Sequence, residues 1–179
     1  MRLRRARLDD LPEIERLIVA SARGLSPGYY TPQQIDSLVE HEFGADTRLI
    51  LDGTYYVCSI DDELVAAGGW SRRRTLHGAD RTKGEDDPLL DPATDAARIR
   101  AFFVHPAHAR RGLARELLSH CLADAVAAGF RQLTLVATLP GEPFYRASGF
   151  ELKRRFLLTM PNGVAVELSE MDRVIAGDG

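Results

Sequence analysis

Apolar positions near the start of the chain recur with helical spacing. Leucine and isoleucine residues between positions 11 and 18 share one helical face, which predicts a helix that Asp9 caps and that runs to about Arg23. Thr31-Pro32 has the cap-plus-proline signature of a second helix start. Apolar residues then repeat at helical spacing to about Phe43, so we expect this helix to end there.

Strand spacing follows the two helices. The runs 54–60 and 64–70 predict a hairpin that turns at Asp61-Asp62, although this pair lacks an Asn-Gly turn signature. The next segment, 71–95, is polar, charged and interrupted by glycine and proline. A loop of that length is usually either functional or a passive, disordered insertion. We expect it to lie beside the substrate and to help select it.

The second half of the chain alternates strands and helices. The pattern predicts strand 97–104, a long amphipathic helix 112–128, a buried strand 133–137, a short helix 140–148 and a hairpin from 150–160 and 164–168. A strand-helix-strand order of this kind produces parallel neighbours with covering helices. The sequence therefore predicts an α/β (α+β) fold with a partly parallel sheet.

Composition narrows the class of protein. With 179 residues, of which 45% are hydrophobic and 27% charged, the chain has an ordinary soluble composition, which excludes a fibrous or wholly disordered protein. We expect one domain over residues 1–175, with the 71–95 loop as an insertion. No apolar run approaches the roughly 20 residues of a membrane helix. The basic start leads into no apolar segment, so we expect no secretory signal and a cytoplasmic location.

The two cysteines and the charge distribution limit the kinds of metal site and binding partner that the chain can have. Cys58 and Cys121 lie in apolar patterns and cannot form a zinc site alone, so we expect two buried, reduced thiols and no metal. The net charge of −3 argues against nucleic-acid binding. Residues 1–95 carry a net −6 and residues 96–179 a net +3. Either this split is chance surface composition, or the second half meets an anion.

The stretch 97–118, ARIRAFFVHPAHARRGLARELL, carries the strongest chemical signal. Arg110 and Arg111 would lie at a helix N-terminus, where the helix dipole is already positive and each cation costs roughly 0.3–1 kcal/mol. The amides of that first turn also lack intrahelical partners, so a bound anion would resolve both problems. The pattern favours a phosphate or diphosphate site over a solvated arginine pair, and it is neither a dinucleotide fingerprint nor a P-loop.

The same residues resemble motif A of the GCN5-related N-acetyltransferase (GNAT) family. That motif is a strand ending in Val-x-Pro, followed by Gln/Arg-x-x-Gly-x-Gly/Ala at a helix start. Here it reads Val104-His105-Pro106 and then Ala109-Arg110-Arg111-Gly112-Leu113-Ala114. Ala109 departs from the motif's Gln/Arg, and the two arginines could supply the missing phosphate contact. The resemblance implies a mixed, mostly antiparallel, twisted sheet of about seven strands with about four helices, splayed between strands 97–104 and 133–137.

The resemblance also implies acetyl-CoA as the donor substrate. Its diphosphate would bind the amides at the start of the long helix, and its pantetheine arm would run along the end of strand 97–104. The cofactor-binding residues that follow are Phe103, Val104, Ala109, Arg110, Arg111, Gly112, Leu113, Ala114 and Arg115. Splayed parallel strands leave backbone groups exposed that such an arm could satisfy.

A second segment, GEPFYRASGF at 141–150, resembles the family's Phe-Tyr segment. In that family the tyrosine that matches Tyr145 often donates a proton to the departing CoA thiolate. A phenol with an ordinary pKa of about 10 suits that role. The alternative is that Phe144 and Tyr145 are simply packing aromatics.

The sequence offers several candidates for the general base that would take the proton of the amine. Several family members place a carboxylate on the strand that matches 97–104, but this chain has no Asp or Glu between 96 and 115. The remaining candidates are His105, His41 and Glu42, and a water relay is an alternative to all three. Cys121 lies on the buried helix stripe and is a poor nucleophile.

The acceptor pocket is expected beside the second helix and the 71–95 loop. Its candidate residues are Tyr29, Tyr30, His41 and Trp70, although Trp70 could equally be a core residue. If the arginines at 72–74 faced the pocket, the acceptor would carry a carboxylate. The acidic cluster Glu85-Asp86-Asp87 points instead to an amine-rich acceptor. Both alternatives stay open.

Taken with the resemblance, these residues imply an acyltransferase. It would transfer an acetyl group from acetyl-CoA to a primary amine of a small molecule or a peptide, by direct attack. The alternative is a non-catalytic GNAT-like module that binds acyl-CoA as a sensor or partner domain. We expect no nucleic-acid or membrane partner, and a monomer or homodimer.

Overall fold

Seven strands form one sheet in the computed structural model, which describes residues 1–82 and 86–175. The strands are β1 (Arg2–Arg5), β2 (Tyr55–Ile60), β3 (Glu63–Ser71), β4 (Ala97–Val104), β5 (Gln132–Thr138), β6 (Glu151–Thr159) and β7 (Ala165–Val174). Their order across the sheet is β1-β2-β3-β4-β5-β7-β6, and all neighbours are antiparallel except β4 and β5. The prediction of a mixed, mostly antiparallel sheet of seven strands is confirmed.

Five α-helices accompany these strands within the described ranges. They are α1 (Leu11–Leu25), α2 (Pro32–Ser37), α3 (Thr47–Leu51), α4 (Leu113–Ala127) and α5 (Glu142–Ala147), and a π-helical turn, Leu38–Glu42, extends α2. Helix α3 is not predicted from the sequence, because five residues are too few to display a helical period. The predicted Asp9 cap is wrong: Asp10 instead accepts a hydrogen bond from the Arg7 amide at 2.7 Å, which closes a short 3-10 turn before α1.

The helices pack on both faces of the sheet. Helix α4 covers one face with its buried stripe, and α1 lies against β3 and β4 on the other. Helix α2 packs on the β6–β7 hairpin. Cys58 and Cys121 are both buried and unbridged, as predicted. Across residues 1–82 and 86–175, no helix is long and apolar enough to cross a membrane.

Two hairpins refine the sequence prediction. Asp61 and Asp62 both have positive φ, at 50° and 63°, which is the geometry of a type I′ turn and matches strand twist. Strand β7 continues six residues past the predicted end at Leu168. Its polar continuation is possible because β7 is a central strand whose Ser169 and Glu170 both have side-chain partners.

The 71–95 loop folds back on itself rather than extending into solvent. Arg73 pairs with Leu89 in an isolated bridge, and Leu90 packs on the main core cluster. The Arg73 guanidinium donates to the Asp52 carboxylate at 2.7 and 2.9 Å. Asp87 is buried and accepts a hydrogen bond from the Thr75 amide, whereas Glu85 lies outside the described residues. This loop therefore has internal structure at both of its ends.

Candidate active site

The sheet opens where β4 and β5 part. These parallel strands pair only at Ala97–Leu133 and Arg98–Thr134, so the β5-facing backbone of β4 beyond Arg98 has no strand partner. The predicted splay is confirmed. A bend in β4 contributes to the opening, because a β-bulge adds one residue and turns its strand.

The bulge lies at Ala101, whose φ of 55° is in the left-handed region. The buried Tyr55 hydroxyl donates to the Ala101 carbonyl at 2.9 Å and holds it there. On the neighbouring strand, Gly68 faces the bulge, and a Cβ at Gly68 would lie 2.8 Å from the Phe102 ring. Glycine is therefore required opposite the bulge, which is the one sequence signal that could have revealed it.

The N-terminus of α4 faces the opening. Gly112 is its N-cap residue, with a φ of 86°, and no side chain caps the helix. A Cβ at Gly112 would meet no protein atom within 4 Å, so the space beyond these amides is open. Arg110 and Arg115 lie at this opening, and neither has a carboxylate partner in the part of the chain that the structure describes. The cluster has the donors and the charge to bind a diphosphate.

One cavity of about 860 Å³ joins this helix end to the rest of the site. Most residues of the predicted cofactor site line it: Phe103, Val104, Ala109, Arg110, Gly112, Leu113, Ala114 and Arg115. Arg111 does not; its guanidinium lies 3.5 Å from the His108 ring instead. The Val104 amide donates to Ser21 Oγ at 3.2 Å, so α1 shares the wall of the cavity with β4.

Tyr145 also lines the cavity. The side chain is 8% exposed and sits among the rings of Phe144, Phe150 and Phe102, with centroid distances of 5.0, 5.7 and 6.2 Å. Among the described residues its hydroxyl has no hydrogen-bond partner. Burial raises the pKa of this phenol well above its ordinary value, so it stays protonated at neutral pH. A protonated hydroxyl that faces a cavity is able to donate a proton to a bound molecule.

The cavity is also lined by side chains that lie far apart in the sequence and that no sequence pattern groups together. His77 Nδ1 lies 2.6 Å from Glu42 Oε1, and both residues line the cavity. Arg100 also lines the cavity; it is 3% exposed and donates to the Asp46 carboxylate at 3.1 Å. Neither His77 nor Arg100 is among the predicted site residues.

The predicted acceptor residues have different locations. Tyr29 lines the cavity. Tyr30 is buried beside it, where its hydroxyl donates to the Glu167 carbonyl and accepts from the Leu139 amide. His41 points towards Glu40 and does not line the cavity. Trp70 packs against Phe130 beneath α4, in the core, because strand alternation directs it to the helix-covered face.

The base candidates are also separated by the fold. Glu42 lines the main cavity. His105 caps the 3-10 turn Pro106–His108 by accepting from the Ala107 amide at 3.2 Å. It borders a different hollow of about 370 Å³, between α1 and the β2–β3 turn. Of the three, only Glu42 therefore shares a cavity with Tyr145.

Comparison with known proteins identifies the family. The sequence profile of the acetyltransferase (GNAT) family matches residues 14–150. Because that match covers more than half of the chain, the protein belongs to the GNAT family. No match was found among curated proteins.

Solved structures share the fold at low sequence identity. A GCN5-related N-acetyltransferase from Rhodopseudomonas palustris is 19% identical, with a TM-score of 0.72 over 97% of this chain and 95% of that one. PaiA N-acetyltransferase from Thermoplasma acidophilum, solved with coenzyme A, is 12% identical, with a TM-score of 0.65 over 97% and 98%. The ribosomal-protein-S18-alanine N-acetyltransferase of Escherichia coli is 14% identical, with a TM-score of 0.58 over 99% and 96%. These likenesses show the fold.

Proposed function

We propose that this protein uses acetyl-CoA to acetylate a primary amine of a small molecule or a peptide. One observation carries the proposal: a single cavity is lined by the uncapped start of α4, by the part of β4 that has no β5 partner, and by Tyr145. One cavity thus combines the anion site, the extended backbone edge and the proton donor that the diphosphate, pantetheine arm and thioester of acetyl-CoA require. The coenzyme A bound to the Thermoplasma PaiA supports the same ligand class here.

The residues of the cavity suit this ligand. The first-turn amides of α4 and the guanidinium groups of Arg110 and Arg115 would hold the diphosphate. The β4 edge near Phe103 would pair with the amide-bearing arm. When bound, acetyl-CoA supplies a thioester carbonyl that an amine can attack. Tyr145 would then protonate the sulfur that leaves.

The acceptor is proposed to be an amine rather than a nucleic acid. The acceptor end of the cavity carries the Glu42 carboxylate, which attracts a cationic amine, and the chain has a net charge of −3. Two buried, unbridged thiols fit a reducing compartment, so the proposal includes a cytoplasmic location. We also propose that the oligomeric state of the protein is a monomer or a homodimer.

Two measurements test the proposal. Acetyl-CoA should raise the melting temperature, because a ligand of the folded state stabilises it by about 2.7 kcal/mol at 100 times its Kd. A panel of small amines and N-terminal peptides should then release free CoA, detected by a thiol reagent. Binding without release from any amine would favour the non-catalytic acyl-CoA-binding module. No binding at all would overturn both functions.

A further inference from the structure

The Glu42–His77 pair is suited to accept a proton. A histidine ring whose Nδ1 lies 2.6 Å from a carboxylate keeps the proton on Nδ1, because the carboxylate can only accept a hydrogen bond. Its Nε2 is then left with a free lone pair. Within residues 1–82 and 86–175, no protein group bonds to that nitrogen. The carboxylate also stabilises the imidazolium that forms when Nε2 takes a proton.

The two side chains differ in exposure in the direction that this role requires. The Glu42 side chain is 10% exposed and the His77 side chain 34% exposed. Both residues line the cavity, and His77 is the more exposed member of the pair, so its ring is the more accessible of the two to a molecule in the cavity. The same cavity contains Tyr145, the proposed proton donor.

From this geometry we propose that His77 is the general base of the acetyl transfer, with Glu42 orienting its ring. The inference rests on the proposed function. A cationic amine first loses one proton to solvent, because only the neutral nitrogen has the lone pair that attack requires. That nitrogen then attacks the thioester carbon, so that a C–N bond forms while the C–S bond breaks. The amine proton goes to His77 Nε2, and the Tyr145 proton goes to the sulfur. Solvent then returns a proton from the imidazolium to the phenolate, which resets both residues.

The position of His77 is determined by a buried arginine. Arg100 donates to the Thr75 carbonyl at 2.9 Å and to the Gly78 carbonyl at 2.7 Å, on either side of His77. The same guanidinium donates a third hydrogen bond, of 3.1 Å, to the Asp46 carboxylate. Arg100 thus holds the backbone of the loop on both sides of His77 through hydrogen bonds to main-chain carbonyls, which makes it a positioning residue.

A second set of contacts fixes the far side of the same loop. The Asp80 amide donates to the Ala45 carbonyl at 3.3 Å, and the Asp80 carboxylate accepts from the Thr47 amide at 3.0 Å. These bonds tie the loop to the segment that follows Glu42. The base and its orienting carboxylate are therefore held together by backbone bonds on both sides, although they are 35 residues apart in sequence.

The test compares His77→Gln with His120→Gln, once the amine panel has supplied an acceptor. His120 is a matched control because it is an exposed histidine on α4, outside the cavity. We expect kcat/KM for an alkylamine to fall by about 10²–10⁴ in His77→Gln, with acetyl-CoA affinity kept, and to be unchanged in His120→Gln. Glu42→Gln should lose activity too, because the ring loses its orienting partner.

Two further measurements distinguish a base from a structural residue. Added imidazole should restore alkylamine acetylation in His77→Ala, because free imidazole can enter the space of the missing ring and take the proton. The second acceptor should be an amine that is neutral at the assay pH and acidic enough to lose its proton without a base. Its rate of acetylation should fall much less in His77→Gln than the rate for the alkylamine. A purely structural defect would show neither effect.

The possible results separate this inference from the proposed function. If wild-type protein acetylates an amine and His77→Gln does so at the same rate, the base assignment is overturned and the function stands. A loss of activity that imidazole fails to rescue and that is equal for both amines also overturns the base assignment. If wild-type protein acetylates no amine, the proposed function fails and this inference fails with it.

Discussion

The two ends of the cavity are built in different ways. The end that we propose for the cofactor, called the cofactor end below, comes from one contiguous stretch, from β4 to the first turn of α4, and offers mainly backbone groups. The end that we propose for the acceptor, called the acceptor end, combines Glu42, His77 and Arg100, which lie far apart in sequence, and offers mainly side chains. Between them lies Tyr145, on a short helix from the last third of the chain.

This difference predicts which amino-acid substitutions each end of the cavity tolerates. Backbone amides do not depend on side-chain identity, so Ala109 can stand where the family motif has Gln or Arg. The acceptor end instead depends on a buried ion pair and on a loop that this pair holds. We therefore expect substitutions to separate the two ends: some should remove acceptor chemistry and leave cofactor binding, and others should do the reverse.

The largest effect is expected for Arg100→Met. The substitution removes a buried guanidinium that bonds to the Asp46 carboxylate and to the Thr75 and Gly78 carbonyls. Breaking a buried charged network of this kind costs about 3–5 kcal/mol of unfolding free energy. Urea denaturation measures this loss, and Arg23→Met is the control: the Arg23–Asp36 pair is exposed, so it should cost less than about 1 kcal/mol. Folded Arg100→Met at low temperature should still bind acetyl-CoA. Parallel loss of that binding would show that the two ends are not separable.

Tyr145→Phe should lower kcat, because the proposed proton donor is lost while both ends of the cavity are kept. The change deletes one hydroxyl and almost no volume, so kcat should fall by about 10² with the acetyl-CoA affinity nearly kept. Tyr56→Phe is the matched control, because the Tyr56 hydroxyl binds Asp124 outside the cavity. Wild-type kcat in Tyr145→Phe would mean that the ring serves packing alone.

Gly112→Glu should abolish cofactor binding without affecting the acceptor end. The new carboxylate would occupy the open space in front of the α4 amides, so the stabilisation of about 2.7 kcal/mol at 100 times Kd should disappear. Gly163→Glu controls for backbone strain, since Gly163 also has open space and a φ of 83° but lies in the β6–β7 turn. Thermal shifts with acetyl-CoA that are equal in both variants would contradict the diphosphate site.

A smaller effect on the free energy of unfolding is expected when acid protonates Glu142, which lies on the same helix, α5, as Tyr145. Burial by itself would raise the pKa of Glu142, but hydrogen bonds from Ser169, Arg155 and Arg146 outweigh it and lower that pKa to about 2. The ionised carboxylate therefore stabilises the fold above pH 4.5, and this contribution is lost as the pH falls from 4.5 towards 2.

The size of this contribution is roughly 2 kcal/mol, after allowing for the half-exposed arginine partners. Urea midpoints at pH 6 and pH 3 should differ less in Glu142→Gln than in the wild type. Glu151→Gln, at an exposed position of β6, should behave like the wild type. An unchanged pH dependence in Glu142→Gln would assign the acid sensitivity to other carboxylates.

The sequence by itself determined the features that depend on neighbours in the chain. The Thr31-Pro32 start of α2 is one example: Thr31 Oγ1 accepts from the Gln34 amide at 3.2 Å, three residues away. The start of α4 at Gly112 is another, because a left-handed residue before a helix and the free amides after it are both local properties. For the same reason, most residues of the predicted cofactor site line one cavity, since they are neighbours in the chain.

Only the tertiary structure decided the acceptor end. Local patterns equally allowed Trp70 in a pocket wall or in the core, and the packing of α4 on the sheet made it a core residue. Nothing near His77 in the sequence marks it, because its partner is 35 residues away and its backbone is held by Arg100 from another strand. Ion pairs and loop contacts of this kind depend on distances that exist only after the strands have paired, so no pattern along the chain reports them.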